Sequence, residues 1–305
     1  MDRNSVAWSG AMPAVITPFD AKGAIDTKAF TANLERQFDH GATGAVVAGC
    51  TGEFWTLTLA ERATLFRLAV EVAQGRTILA GTGAILAADA IASARAAADA
   101  GCDGVLVLPP YFVKLTDDEI FGHIETVAAA SPLPVCLYNI PGNAVNAIPP
   151  ALAARLADVD KVVAIKESSG DWNNFYGTHL AVADRLRVFC GPSSVFGVPA
   201  VELGADGVID CFPNVWLPGG IALFEAAKDP ARRAEAAALQ ATGRRLTDLF
   251  TTGGRTLYPA TKAAMEMLGW QAGEPRAPLR RLEGEPLAGL ERGLVELGLL
   301  NKKAA

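Results

Sequence analysis

Short runs of apolar residues recur along this chain, separated by longer stretches in which apolar positions return every three or four residues. The runs are Met12–Thr17, Ala45–Ala48, Ile78–Gly81, Val105–Leu108, Val135–Tyr138, Val162–Lys166, Val188–Cys190 and Val208–Asp210. They are apolar throughout rather than alternating, which marks strands buried on both faces. Their spacing, about 25 to 35 residues, is that of successive strand–helix–strand units. Between them, Ala60–Gln74 carries Leu65, Leu68, Ala69 and Val72 on one face at helical spacing. Thr58 with Glu61 and Thr116 with Glu119 have the spacing of a capping box, and Pro149-Pro150 can open a helix. Gly41, Gly101 and Gly204 precede strands where helices should end. The pattern predicts an α/β fold, a TIM (β/α)8 barrel, in preference to an open doubly wound sheet. Residues 1–217 supply the strands and crossover helices. Residues 218–305 read as helices only, broken near Gly253-Gly254 and Gly273-Glu274-Pro275, and form a closing helix and a helical C-terminal extension of one continuous barrel domain.

Composition narrows the function. At 305 residues and 50% hydrophobic, the chain can build one large core. A net charge of -6 and no basic run argue against nucleic acid as a partner. No stretch reaches the ~20 apolar residues of a membrane span, so no membrane is expected. Met1–Trp8 lacks the apolar core of a signal peptide, and the five cysteines form no CxxC pair, which suits a reduced, cytoplasmic protein. His40, His123 and His179 are scattered without ligand spacing, and no metal is expected.

Lys166 changes the picture. It closes the apolar run of Val162–Ile165, and burial there disfavours the ammonium. Only the neutral amine attacks a carbonyl to form a Schiff base, and at an ordinary pKa of ~10.4 little of it exists at pH 7. In a barrel, chemistry sits at the carboxyl ends of strands. There lie Gly49-Cys50-Thr51-Gly52-Glu53, where Cys50, Thr51 and Gly52 can offer backbone N–H groups and a hydroxyl to an anion. Tyr138-Asn139-Ile140-Pro141 ends the fifth run, and Cys190-Gly191-Pro192-Ser193-Ser194 ends the seventh. An amine, a phenol and an anion cradle together suit carbinolamine chemistry, with Tyr138 moving protons. The imine is itself the electron sink, so no cofactor is expected.

These motifs resemble the dihydrodipicolinate synthase and N-acetylneuraminate lyase family, class I Schiff-base aldolases and dehydratases on a TIM barrel. The most specific pieces are Gly-Cys-Thr-Gly-Glu at 49–53, Tyr-Asn-Ile-Pro at 138–141 and Ile-Lys-Glu-Ser-Ser-Gly at 165–170. The resemblance puts Lys166 on the Schiff-base lysine, Tyr138 on the catalytic tyrosine and Thr51 on the hydroxyl that holds a 2-oxo acid carboxylate. Gly191 and Ile209 fall on positions lining the keto acid. It also implies a homotetramer built as a dimer of dimers.

Departures from the family bear on the substrate. The synthases carry an arginine after Tyr-Asn-x-Pro for the carboxylate of an aldehyde partner, and here that position is Asn143. Their proton relay uses a hydroxyl before Thr51 and a second tyrosine across an interface, positions held by Cys50 and Phe112, so the relay reads as broken. Ser193 and Ser194 stand where sialic acid lyases hold sugar hydroxyls with acidic residues, and Cys211 makes that side of the mouth more apolar. Tyr111 is expected to point elsewhere. Glu53 reads as a partner for loop amides, Lys114 and Arg255 as outer contacts, and Trp55, Trp172 and Trp216 as mouth or packing residues. The expected enzyme is a lyase on a small 2-oxo acid, an aldolase or dehydratase of a keto-deoxy sugar acid or hydroxy-oxo acid. The alternatives are 4-hydroxy-tetrahydrodipicolinate synthase, a pyrroline-hydroxycarboxylate deaminase, and a keto-acid binder without catalysis.

Overall fold

The computed structural model describes residues 1–301. Its strands are β1 Gly10–Ala11, β2 Gly44–Val47, β3 Thr77–Gly81, β4 Gly104–Val107, β5 Val135–Asn139, β6 Val162–Glu167, β7 Arg187–Cys190 and β8 Gly207–Val208. All pair in parallel, in the order β1-β8-β7-β6-β5-β4-β3-β2. A parallel bridge between Ala14 and Val46 joins the two ends, so the sheet closes into the expected (β/α)8 barrel.

The first strand departs from the expected Met12–Thr17. Pro13 and Pro18 have no N–H to give a ladder, so regular pairing ends at Ala11. Beyond it, Met12 and Ala14 donate to the Val208 and Asp210 carbonyls, while Val46 donates to Pro13 O. The closure is therefore irregular at the rim that bears the site.

Helix boundaries follow the local signals. Thr58 and Thr116 both form capping boxes, opening Leu59–Ala73 and Asp117–Ala130. The buried stripe of the first is Leu65, Phe66, Ala69 and Ala73, while Leu68 and Val72 pack only partly. Gly41, Gly101 and Gly204 are all left-handed, as helix exits require.

Two apolar layers result. Val47, Ala80, Val107, Leu137, Ile165 and Val188 face outward against the crossover helices. Val46, Leu79, Leu106, Cys136, Val163, Ala164 and Phe189 fill the barrel interior. A third cluster, including Phe212, Trp216, Leu246, Phe250, Met265 and Leu290, joins helices Leu217–Lys228, Arg233–Thr251, Leu257–Met267 and Gly284–Glu296 to the carboxyl-end rim. The C-terminal helices thus cover the face where chemistry is expected. Among the described residues no helix is long and apolar enough to cross a membrane, and all five cysteines are buried and unpaired.

Candidate active site

β5 and β6 place the central pair. Their register shifts between Val135 and Cys136, which oppose Val162 and Ala164 and leave Val163 as an extra residue. Val163 and Ala164 both face the interior, so the alternation of inside and outside is reset by one position. Lys166 therefore comes to lie opposite Tyr138 rather than Asn139. One step on, Asn139 and Glu167 turn away from the interior and lock the strand ends together. Asn139 Nδ2 donates to Glu167 Oε1 at 2.9 Å, and the same oxygen accepts from Ser169 N and Asn174 Nδ2. Asn139 also exchanges bonds with the Ile148 backbone, fixing the loop after β5.

Lys166 is 5% exposed, and its Nζ sits 4.3 Å from the centroid of the Tyr138 ring. Burial holds its pKa below the ordinary value, against the opposing pull of Cys50 and Asp210. A second buried lysine makes the contrast. Lys262, 2% exposed, is paired with Glu53 at 2.6 Å, whereas among the described residues Lys166 forms no ion pair. Burial likewise pushes Tyr138 up, keeping the phenol protonated.

A cavity of about 180 Å³ opens above this pair. Cys50, Thr51, Tyr138, Lys166, Gly191, Ser194, Ile209 and Cys211 line it, so most of the expected site converges. The turn that presents Thr51 is held by left-handed backbone at Ala48 and Glu53. Among the described residues the Thr51 amide and hydroxyl bond to no other group of the chain, which leaves both for a ligand. Gly191 is needed for close approach: a Cβ there would stand 1.6 Å from Ser168 Oγ.

Other expected residues lie elsewhere. Gly52 packs behind Thr51 and accepts from the Thr17 hydroxyl. Ser193 donates to Asp210 Oδ2 rather than lining the cavity. Tyr111 and Asn143 border a neighbouring aromatic hollow of about 360 Å³, with Phe54, Trp55, Leu108, Cys50 and Tyr258. Phe112 is 85% exposed, on left-handed backbone, and lines neither space. Lys114 is exposed, and Arg255 ties to Leu249 O instead of reaching the mouth. Trp172 and Trp216 pack, while Trp55 borders the hollow. Glu53 accepts from a loop amide, that of Arg276, and also pairs with Lys262, binding the β2 loop to the C-terminal segment.

Two residues escaped the sequence reading. Asp210 borders the cavity just past β8, accepting from Ser193 Oγ and the Ser194 and Cys211 amides. Beside it Thr247 donates to Ser194 Oγ at 3.0 Å, so this wall is polar and acidic. Tyr258, in the first turn of Leu257–Met267, borders both cavity and hollow. Asp210 closed an apolar run and could have been flagged on that ground; Tyr258 carried no local signal. Among the described residues no three His, Cys, Asp or Glu side chains converge to hold a metal ion.

Known proteins with this architecture point the same way. A model of the dihydrodipicolinate synthetase family matches residues 7–296. A 4-hydroxy-tetrahydrodipicolinate synthase of Synechococcus sp. (strain CC9605) is 35% identical over 93% of both chains. The dihydrodipicolinate synthase of Aquifex aeolicus superposes with a TM-score of 0.89 at 30% identity, covering 97% of this chain and 100% of that one. YagE, a prophage protein of the dihydrodipicolinic acid synthase family from E. coli K12 solved with pyruvate, superposes at 0.90 with 26% identity, over 96% of this chain and 100% of its own. With the match spanning nearly the whole chain, this protein belongs to the dihydrodipicolinate synthetase family and is a class I, lysine Schiff-base lyase.

Proposed function

We propose that Lys166 is the Schiff-base lysine and that the enzyme acts on a small, hydroxylated 2-oxo acid as an aldolase or dehydratase. The contrast between the two buried lysines carries the first half: Lys262 is neutralised by Glu53, and Lys166 is left unpaired at the floor of a cavity. Its neutral amine adds to the ketone, and Tyr138 gives a proton to the oxygen that leaves as water. The Thr51 amide and hydroxyl hold the carboxylate. The iminium then accepts the electron pair of the bond broken next to it.

The polar wall carries the second half. Asp210, Ser194 and Thr247 offer hydrogen-bond acceptors and hydroxyls, and among the described residues no cation besides Lys166 lines the cavity or the hollow. Such a wall suits substrate hydroxyls and repels a second carboxylate. 4-Hydroxy-tetrahydrodipicolinate synthesis is the second reading, favoured by relatives of that name at 35% identity. It requires the anionic end of aspartate semialdehyde to be held without the family's arginine, at Asn143.

We also infer a homotetramer, for which Ile85, Leu86, Phe112 and Val113 offer exposed apolar side chains, and a reducing compartment, supported by the five unpaired cysteines. Native mass of a monomer would refute the assembly.

Borohydride reduction with pyruvate, with peptide mapping, tests the lysine: an adduct on Lys166 supports it, and its absence with every 2-oxo acid tried favours a binder without catalysis. Turnover of keto-deoxy acids set against pyruvate with aspartate semialdehyde then separates the two readings.

A further inference from the structure

The expectation of a broken proton relay rested on Cys50 and Phe112. Phe112 points into solvent, but Cys50 shares the wall of the Lys166 cavity with two phenols, those of Tyr138 and Tyr258, and with Tyr258 it also borders the aromatic hollow. Tyr258 comes from a different element, the helix Leu257–Met267 that lies over the carboxyl-end rim. Its ring rests against Trp55, with centroids 5.3 Å apart. Its oxygen accepts from Asn143 Nδ2 at 2.9 Å. With that acceptance made by the oxygen, the Tyr258 proton is free to be donated, and the Cys50 sulfur is an acceptor on the same wall. The thiol can in turn donate to the Tyr138 oxygen. Donation can then run in one direction, from Asn143 through Tyr258 and Cys50 to Tyr138.

We propose that Tyr258 is the outer member of a proton relay, Tyr258–Cys50–Tyr138, which lies within a single chain and connects the aromatic hollow to the Lys166 cavity. It deepens the Schiff-base reading above and rests on it. When Tyr138 protonates the oxygen leaving the carbinolamine, Cys50 passes its proton to Tyr138 and Tyr258 passes its own to Cys50. Tyr258 regains one from water in the hollow. Each group ends the cycle as it began, and the net change is one proton moved inward; the reverse order moves one outward. Burial raises the pKa of all three groups, so each stays neutral, able both to give and to take. Tyr258 touches no reacting atom and acts only through Cys50 and Tyr138. It is a positioning residue for protons, and Asn143 orients it.

Exchange of the pyruvate methyl protons for deuterium, followed by NMR in heavy water, tests the relay on the full chain without knowledge of the second substrate. Tyr258→Phe and Cys50→Ala should each slow exchange at saturating pyruvate by about 10²-fold, the lower range for loss of acid–base assistance. Half-saturating pyruvate should hardly change, and the borohydride adduct on Lys166 should still form. Cys50→Ser, which restores a hydroxyl, should exchange at least as fast as the wild type. The Tyr258→Phe, Cys50→Ala double variant should be no slower than Cys50→Ala alone, because both break one chain. Wild-type exchange in Tyr258→Phe, or a double variant slowed by the product of the single effects, would overturn the relay. A wild-type protein that shows neither adduct nor exchange would instead overturn the Schiff-base reading beneath it.

Discussion

Tyr138 and Lys166 are register partners across β5 and β6, and the Lys166 amine lies over the Tyr138 ring, 4.3 Å from its centroid. The ring's negative face favours the ammonium, while burial disfavours it and holds the pKa below the ordinary value. The amine thus gives up its proton more readily than an exposed lysine and is still held in place.

That balance has a cost in stability. A lysine whose folded pKa is lowered binds its proton more readily when unfolded, so between the folded value and the ordinary 10.5 stability rises with pH. At neutral pH the group opposes folding. Lys166→Met should therefore abolish borohydride trapping and yet raise stability at pH 7 by about 1–2 kcal/mol, with the gain shrinking as pH approaches the ordinary lysine range. Thermal melts across pH check the sign, and a melting point lower than wild type at pH 7 would contradict it.

Tyr138→Phe keeps the ring under the amine and removes only the hydroxyl. Pyruvate should still be trapped on Lys166, more slowly, while turnover falls about 10²–10⁴-fold with little change in KM. An equal loss in the binding of pyruvate would assign the hydroxyl to ground-state binding instead.

Glu53 and Lys262 form the only ion pair among the described residues in which both side chains are almost fully buried. Lys262→Met leaves a carboxylate in the core and should cost about 3–5 kcal/mol in denaturant unfolding. The double variant Glu53→Gln, Lys262→Met should recover most of that loss. If the double change is no better than the single, the pair does not behave as a unit.

Asp210 offers a way to move the specificity. Asp210→Asn keeps the contact with the Ser194 amide and removes the negative charge from the wall. Turnover of a hydroxylated 2-oxo acid should fall by about 10-fold or more, the effect of one charged hydrogen bond, while an anionic aldehyde partner should be better tolerated. Parallel kcat/KM measurements with both substrates reveal whether the preference moves.

Much of this architecture was legible because burial on both faces leaves apolar runs, and capping chemistry is local. Seven runs landed on their strands within a residue or two; the first did not, since Pro13 within Met12–Thr17 and Pro18 just after it interrupt the ladder while leaving the run apolar. Lys166, Tyr138 and Thr51 were legible because each follows a strand or sits in a glycine-rich turn. Tyr258 was not: it is 120 residues beyond Tyr138 in sequence, in an ordinary helical turn, and only the fold of the C-terminal helices brings it to Cys50. The partner of Glu53 was hidden for the same reason.

Between Val135 and Asn139 one strand uses five residues, while its neighbour from Val162 to Glu167 uses six to cover the same rungs. The position of the amine is thus a matter of counting as much as of chemistry. A chain shortened by Val163 would straighten the ladder and still deliver lysine to the phenol; a chain lengthened by one residue there would need a second bulge or would lose the pairing. Substitutions that keep an apolar side chain at Val163 would not reveal this, because they change its packing in the barrel and leave its length in place.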